Sequence, residues 1–140
     1  FLISFILLLL FLFSGSIFLK FDLPFILGLM AFFSTLGREI TKDVEDMAGD
    51  FNRITLPKRI GVSRSLLLSG IFYFIAIILS PSPYLMGYFG IAYIIAVSIA
   101  DIIFIYSVVI QFNDPGKGER FAKIAMVLAL VSYLVGGVIK

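Results

Sequence analysis

The chain has 140 residues, of which 61% are hydrophobic and 16% aromatic, with a formal net charge of +2 and a mean hydropathy of +1.12. Soluble domains contain about 45 to 50% apolar residues, so this composition excludes an ordinary soluble core and indicates a chain that crosses a bilayer. Because the chain has no cysteine and no histidine, disulfides, thiolate metal sites and imidazole chemistry are excluded as well.

Five apolar segments predict the helices of an all-α, polytopic transmembrane bundle. They cover residues 1–19, 25–36, 66–80, 84–112 and 121–139. A spanning helix needs about 20 apolar residues, so the second and third segments span only with their polar flanks or within protein-lined space. The first segment starts inside an apolar run with no initiating Met, so we expect the chain to be the C-terminal part of a larger membrane protein.

Basic residues are unevenly distributed between the two sides of this predicted bundle. If all five segments span, the side that contains the connections 38–64 and 113–120 has nine basic residues: Arg38, Lys42, Arg53, Lys58, Arg59, Arg64, Lys117, Arg120 and Lys123. The other side has two, Lys20 and Lys140. The positive-inside rule makes the first side cytoplasmic, so 38–64 is predicted to be a cytoplasmic cap or loop of a multi-pass cell-membrane protein. Aromatic and basic residues do not alternate there, so no nucleic-acid partner is expected.

Four acidic residues follow the second apolar segment at intervals of 4, 3 and 4: Glu39, Asp43, Asp46 and Asp50. On a helix that advances about 100° per residue they fall within roughly 60° of one another. Carboxylates on one stripe repel each other, so the arrangement favours a bound cation. The alternative is a solvated acidic face of a surface helix; the membrane setting favours the cation site.

A single acidic residue, Asp101, lies inside the fourth apolar segment. Acidic side chains in membranes are costly and face the interior of the bundle. Asp101 is therefore interpreted either as part of a site or proton path, or as a hydrogen-bond partner of a Ser, Tyr or Lys on another helix. An ion-coupled membrane transporter is the alternative function that would use such a residue.

The segment 38–61 resembles the second aspartate-rich motif of the UbiA superfamily of intramembrane prenyltransferases. The matching residues are Arg38-Glu39-Ile40, Lys42-Asp43, Glu45-Asp46, Gly49-Asp50, Thr55-Leu56-Pro57 and Gly61. The resemblance implies that residues 1–140 form the C-terminal half of one prenyltransferase domain, a bundle of nine helices. It also implies that a first aspartate motif, of the Asn-Asp-x-x-Asp type, is supplied by the N-terminal half, since this chain has none.

The resemblance implies a site for Mg²⁺ and a prenyl diphosphate. Three carboxylates are its implied metal ligands and catalytic residues: Asp43, Asp46 and Asp50. Three basic side chains are its implied substrate-binding residues: Lys42, Arg38 and Arg53. Oxygen donors suit Mg²⁺, and a cation beside a diphosphate neutralises the charge that grows as this leaving group departs.

Within the superfamily, the motif is most similar to that of archaeal digeranylgeranylglyceryl phosphate synthases. This implies transfer of a geranylgeranyl group to a lipid acceptor, geranylgeranylglyceryl phosphate, in archaeal ether-lipid synthesis. Prenyltransferases with aromatic acceptors, which make quinones, haem or chlorophyll, share the same carboxylates and remain an alternative. A CDP-alcohol phosphotransferase would need an Asp-Gly-x-x-Ala-Arg motif, which the chain lacks.

Overall fold

The structure, a computed structural model, describes residues 1–18, 21–47, 49 and 54–138. Within these residues every regular element is helical, and five of the seven helices have 17 to 25 residues. The helices are α1 Leu2–Phe18, α2 Asp22–Asp46, α3 Leu56–Ile60, α4 Val62–Leu79, α5 Ser82–Leu85, α6 Ile91–Ile110 and α7 Pro115–Val138. The prediction of an all-α bundle with about five main helices is confirmed.

Among the described residues, four segments are long and apolar enough to cross a membrane: Asp22–Asp46, Val62–Leu85, Ile91–Ile110 and Pro115–Val138. Helix α1 is equally apolar but shorter. Large side chains of α6 at Ile91, Ile95, Ile99 and Ile102 are exposed along one side of that helix. Such a stripe suits contact with lipid, and the chain is an integral membrane protein.

Helix α2 extends further than its apolar run, which ends at Leu36, because tertiary contacts support the polar part. Gly37, Thr41 and Val44 are buried at helical spacing against the rest of the bundle, and the helix ends only at Asp46. The part 38–46 of the predicted cytoplasmic cap is therefore the last third of a long helix. Tertiary packing decides where this helix ends, and local polarity does not.

The predicted fourth helix, over 84–112, is divided in two by a turn. Helix α5 ends at Leu85, Gly87 adopts a positive φ of 75°, and α6 begins at Ile91. Only glycine adopts this left-handed conformation without strain, so Gly87 ends the helix. Across the turn, the Tyr93 hydroxyl donates a 2.7 Å hydrogen bond to the Ser80 carbonyl and joins α6 to the end of α4.

Helix α2 contacts α1, α4 and α7, and α6 packs along α7. The α6–α7 pair is close because small residues lie at the contact; Ala100, Ala122 and Ala125 are fully buried. The Asp114 carboxylate caps α7 by accepting a 2.9 Å hydrogen bond from the Lys117 amide, and this bond lowers the pKa of Asp114. These contacts place the ends of α2, α6 and α7 together on one side of the bundle.

Candidate active site

The C-terminal end of α2 carries the predicted acidic site. Asp43 is half-buried there, Lys42 is exposed, and Asp46 is the exposed last residue of the helix. Asp43 and Asp46 both lie on α2, where their spacing of three residues places them on the same side of the helix. The other two predicted site residues in this region, Asp50 and Arg53, lie outside the described residues.

A cavity of about 400 Å³ lies beside Asp43, between α1, α2, α3 and α4. Its two acidic lining residues are Glu39 and Asp43, and its other walls are apolar: Phe1, Leu36, Ile40, Leu56, Leu68 and Phe72. We call it the acidic cavity. A carboxylate at the edge of an apolar space is the setting that an amphipathic ligand with a charged head would need.

The donor types at this end of α2 suit Mg²⁺. Asp43 and Asp46 supply carboxylate oxygens, and the chain has no thiol or imidazole that would favour a softer metal. Among the residues that the structure describes, however, no group of three His, Cys, Asp or Glu side chains is placed to hold a metal ion. The predicted roles of Asp43 and Asp46 as magnesium ligands therefore stay a prediction.

Arg38 is held by two carboxylates. Its Nη2 lies 2.6 Å from Oε1 of Glu39, and its Nη1 lies 3.3 Å from Oε1 of Glu119 on α7. Glu119 is buried and also accepts a 2.9 Å contact from Lys123. Arg38 thus joins α2 to α7, and the predicted contact between Arg38 and a phosphate stays a prediction.

Glu45 is on the side of α2 that meets the start of α7. A Cβ built on Gly116 would lie 2.6 Å from Oε1 of Glu45, so this carboxylate rests directly against the first turn of α7. The N-terminal end of a helix attracts negative charge, which favours this position of Glu45. Glu45 therefore takes part in helix packing.

A second cavity, of about 250 Å³, lies between α1, α2, α4, α6 and α7. We call it the interior cavity. Its walls are mostly apolar, and the polar residues among them are Ser34, Thr35, Asp101 and Tyr133. Of the two interpretations of Asp101, the structure contains the helix-to-helix hydrogen bond: Ser80 Oγ donates to Asp101 Oδ2 at 2.5 Å and joins α4 to α6.

Sequence reasoning missed a buried polar network below the acidic residues. Thr41 Oγ1 lies 2.8 Å from Ser69 Oγ and 2.9 Å from Gln111 Oε1, and all three residues have no exposed surface. Gln111 Nε2 donates a 3.1 Å hydrogen bond to the Leu66 carbonyl. The only sequence signal was a Thr, a Ser and a Gln near the ends of three apolar helices. Their proximity appears only once α2, α4 and α6 are packed.

Comparisons with known proteins agree with this architecture. No protein-family model matches the chain. The chain is 41% identical over 133 residues to the digeranylgeranylglyceryl phosphate synthase of Methanosphaera stadtmanae, which covers 90% of this chain and 49% of that protein. It is 40% identical over 120 residues to the synthase of the same name from Methanocaldococcus jannaschii, with 81% of this chain and 42% of that protein covered.

Over the matched residues the chain is similar in sequence to the digeranylgeranylglyceryl phosphate synthases. A solved structure from work on digeranylgeranylglyceryl phosphate synthase in membranes has the same fold, with a TM-score of 0.77 and 38% identity over 82% of this chain and 43% of that one. The resemblance predicted from residues 38–61 is confirmed at this level. The chain spans about half the length of the curated relatives it matches.

Proposed function

We propose that this chain is the C-terminal half of an archaeal prenyltransferase that transfers a geranylgeranyl group from its diphosphate to geranylgeranylglyceryl phosphate. One observation carries the proposal: the end of α2 places Asp43 beside the acidic cavity, in a chain 41% identical to a protein named for this product. The N-terminal half supplies the first aspartate motif. This chain alone is therefore expected to be inactive.

In this proposal the substrate diphosphate binds at the end of α2. Asp43, Asp46 and Asp50 hold Mg²⁺, which neutralises the diphosphate when bound. Lys42 is exposed about 40° round the helix from Asp46, close enough for its ammonium group to donate to a phosphate oxygen. Arg53 is a further phosphate donor. Arg38, which two carboxylates already hold, contributes mainly by fixing α2.

The reaction forms one carbon–oxygen bond and breaks a carbon–oxygen bond and an oxygen–hydrogen bond. The hydroxyl oxygen of the acceptor attacks the allylic carbon of the donor, the carbon–oxygen bond to diphosphate breaks, and the diphosphate leaves with the bonding electrons. The acceptor hydroxyl loses its proton to the released diphosphate or to water as the ether forms. The apolar walls of the acidic and interior cavities suit isoprenoid chains, and they keep water from the allylic carbon.

The proposal places the active site on the cytoplasmic face of the cell membrane. The distribution of basic residues supports this, with nine on the side of the acidic residues and two on the other. The described basic residues of α3, Lys58 and Arg59, are exposed at that end. A lipid acceptor with a phosphate head group would meet them at the membrane surface.

The test is a transfer assay with the full-length protein in detergent, with labelled geranylgeranyl diphosphate and Mg²⁺. Geranylgeranylglyceryl phosphate and an aromatic acid are supplied in parallel as acceptors, with EDTA as the metal control. We expect labelled product only with the lipid acceptor and only without EDTA. Product with the aromatic acid alone would make the chain part of an aromatic prenyltransferase, and turnover in EDTA would contradict the role of the metal.

A further inference from the structure

The hydroxyls of Thr41 and Ser69 and the amide of Gln111 form a chain of hydrogen bonds between α2, α4 and the end of α6. Thr41 Oγ1 donates to Gln111 Oε1 at 2.9 Å, Ser69 Oγ donates to the Gly37 carbonyl at 2.9 Å, and the two hydroxyl oxygens lie 2.8 Å apart. The Gln111 amide donates to the Leu66 carbonyl. Both hydroxyl hydrogens and the Gln111 side-chain oxygen have partners in a region from which water is excluded, so the network restricts the rotation of α2.

The network attaches to one side of α2, which we call the anchoring face: Gly37, Thr41 and Glu45. These residues are four apart and lie within about 40° of Thr41. A Cβ on Gly37 would lie 3.0 Å from the Ser69 carbonyl oxygen, and Glu45 rests against Gly116. At Gly37 the anchoring face therefore has no room for a larger residue without a shift of its neighbours.

The acidic residues are on the opposite side of the same turns. At about 100° per residue, Asp46 lies roughly 140° from Thr41, and Glu39 and Asp43 lie roughly 160° from it on either side. We call Glu39, Asp43 and Asp46 the acidic face. Contacts on the anchoring face thus determine the direction in which the acidic face points.

We propose that Thr41, Ser69 and Gln111 are positioning residues that fix the rotation of α2 about its axis and thereby aim Asp43 and Asp46 at the bound substrate. The inference rests on the proposed function, since it takes the acidic face to be the diphosphate site. A side-chain oxygen lies about 5 to 6 Å from a helix axis, so a rotation of 20° moves it by about 2 Å. A misplacement of about 1 Å at a reacting centre can cost on the order of 100-fold in rate.

Two substitutions separate positioning from ordinary packing. Thr41→Val keeps the shape of the side chain and removes the hydroxyl that contacts Ser69 and Gln111, while the bond from Ser69 to the Gly37 carbonyl remains. Thr41→Ser keeps the hydroxyl and removes a methyl group. Ser132→Ala is the matched control, because Ser132 is also fully buried but its hydroxyl donates only to its own helix, at the Ala129 carbonyl.

The experiment uses the full-length protein and two readouts. The first is the rate of geranylgeranyl transfer as a function of Mg²⁺ concentration. The second is the distance distribution between spin labels at Lys42 on α2 and Arg120 on α7, both of which are exposed. Because the second readout is independent of turnover, it reports the orientation of α2 directly.

For Thr41→Val we expect a loss of 10-fold to 100-fold in transfer rate, a higher Mg²⁺ requirement and a broadened or shifted distance distribution. Thr41→Ser should restore all three, and Ser132→Ala should leave them unchanged. Unchanged distances and Mg²⁺ dependence in Thr41→Val would overturn the positioning role, as would an equal loss in Thr41→Ser. A wild-type protein without transfer activity would contradict the proposed function, and the distance comparison would still decide the positioning role.

Discussion

Arg38 and Glu119 join α2 to α7 through a contact of 3.3 Å between Nη1 and Oε1, at the level where the acidic residues begin. The side chain of Glu119 is 5% exposed and that of Arg38 is 19% exposed, so water screens the pair only partly. Glu119 also accepts the contact from Lys123. Removing one partner of a buried ion pair costs more than removing one partner of a surface ion pair, because the remaining charge is left uncompensated.

We therefore expect Glu119→Ala to destabilise the protein by about 2 kcal/mol, because Arg38 loses its partner on α7 and retains only Glu39. The measurement is the free energy of unfolding in a denaturant titration of the detergent-solubilised protein. Lys117→Ala is the control: its ion pair with Asp114 is exposed and should contribute less than about 0.5 kcal/mol. Equal effects of the two substitutions would contradict the role of Glu119 as a helix link.

Two glycines at the start of α7 should respond differently to substitution by alanine. A Cβ at Gly118 would lie 2.5 Å from Cβ and 2.9 Å from Cα of Gln111, so Gly118→Ala must push α6 and α7 apart. We expect a loss of about 2 kcal/mol or more in the free energy of unfolding. At Gly116 the obstacle is the end of the Glu45 side chain, which can swing aside.

Gly116→Ala is consequently expected to change the free energy of unfolding by less than about 0.5 kcal/mol, since alanine also favours the helix. Both variants are measured in the same denaturant titration. A large loss for Gly116→Ala would show that α2 and α7 do not meet as described. A neutral Gly118→Ala would show the same for α6 and α7.

The apolar runs were sufficient to predict the main helices, because a spanning helix requires a long stretch without charge. They did not predict that α2 reaches Asp46. Nothing in the local composition after Leu36 favours a buried helix. Gly37, Thr41 and Val44 are buried because α4 and α7 pack against α2, and Gln111, which follows α6, bonds Thr41. The apolar runs did not predict the turn at Gly87 either, because its positive φ depends on the fold and not on hydropathy.

The candidate site was only partly predictable, because some of its contacts join residues that are far apart along the chain. The spacing of Asp43 and Asp46 predicts that they share one face wherever this segment is helical. The partner of Arg38 was not predictable, because Glu119 is 81 residues away along the chain. Gln111 looked like the polar end of an apolar segment, and only the packing of α2, α4 and α6 makes it a shared hydrogen-bond partner.

Topology is open to direct measurement with single cysteines in a cysteine-free background. We expect a cysteine at Arg59, on α3, to be shielded from an impermeant maleimide added to intact cells, since α3 is on the side with nine basic residues. A cysteine at Ser82, at the opposite end of α4, should be labelled under the same conditions. Permeabilised cells provide the control for reactivity at Arg59. Labelling of Arg59→Cys from outside intact cells would reverse the orientation.

In the proposed function, the carboxylates of the acidic face hold the metal against the substrate diphosphate. Asp46→Asn removes one charge at nearly constant shape, and Asp46 is exposed at the end of α2, so the fold should not change. Asp101→Asn is the control, because an amide oxygen can still accept the hydrogen bond from Ser80. Correct folding of both variants is checked by size-exclusion chromatography.

The deciding measurement is the rate of geranylgeranyl transfer by the full-length protein against Mg²⁺ concentration, for wild type, Asp46→Asn and Asp101→Asn. We expect Asp46→Asn to lose a factor on the order of 100 to 1000, or about 3 to 4 kcal/mol of transition-state stabilisation. Asp101→Asn should lose less than about tenfold. Equal rates for wild type and Asp46→Asn at limiting Mg²⁺ would contradict the account, because a solvated acidic stripe would tolerate the amide.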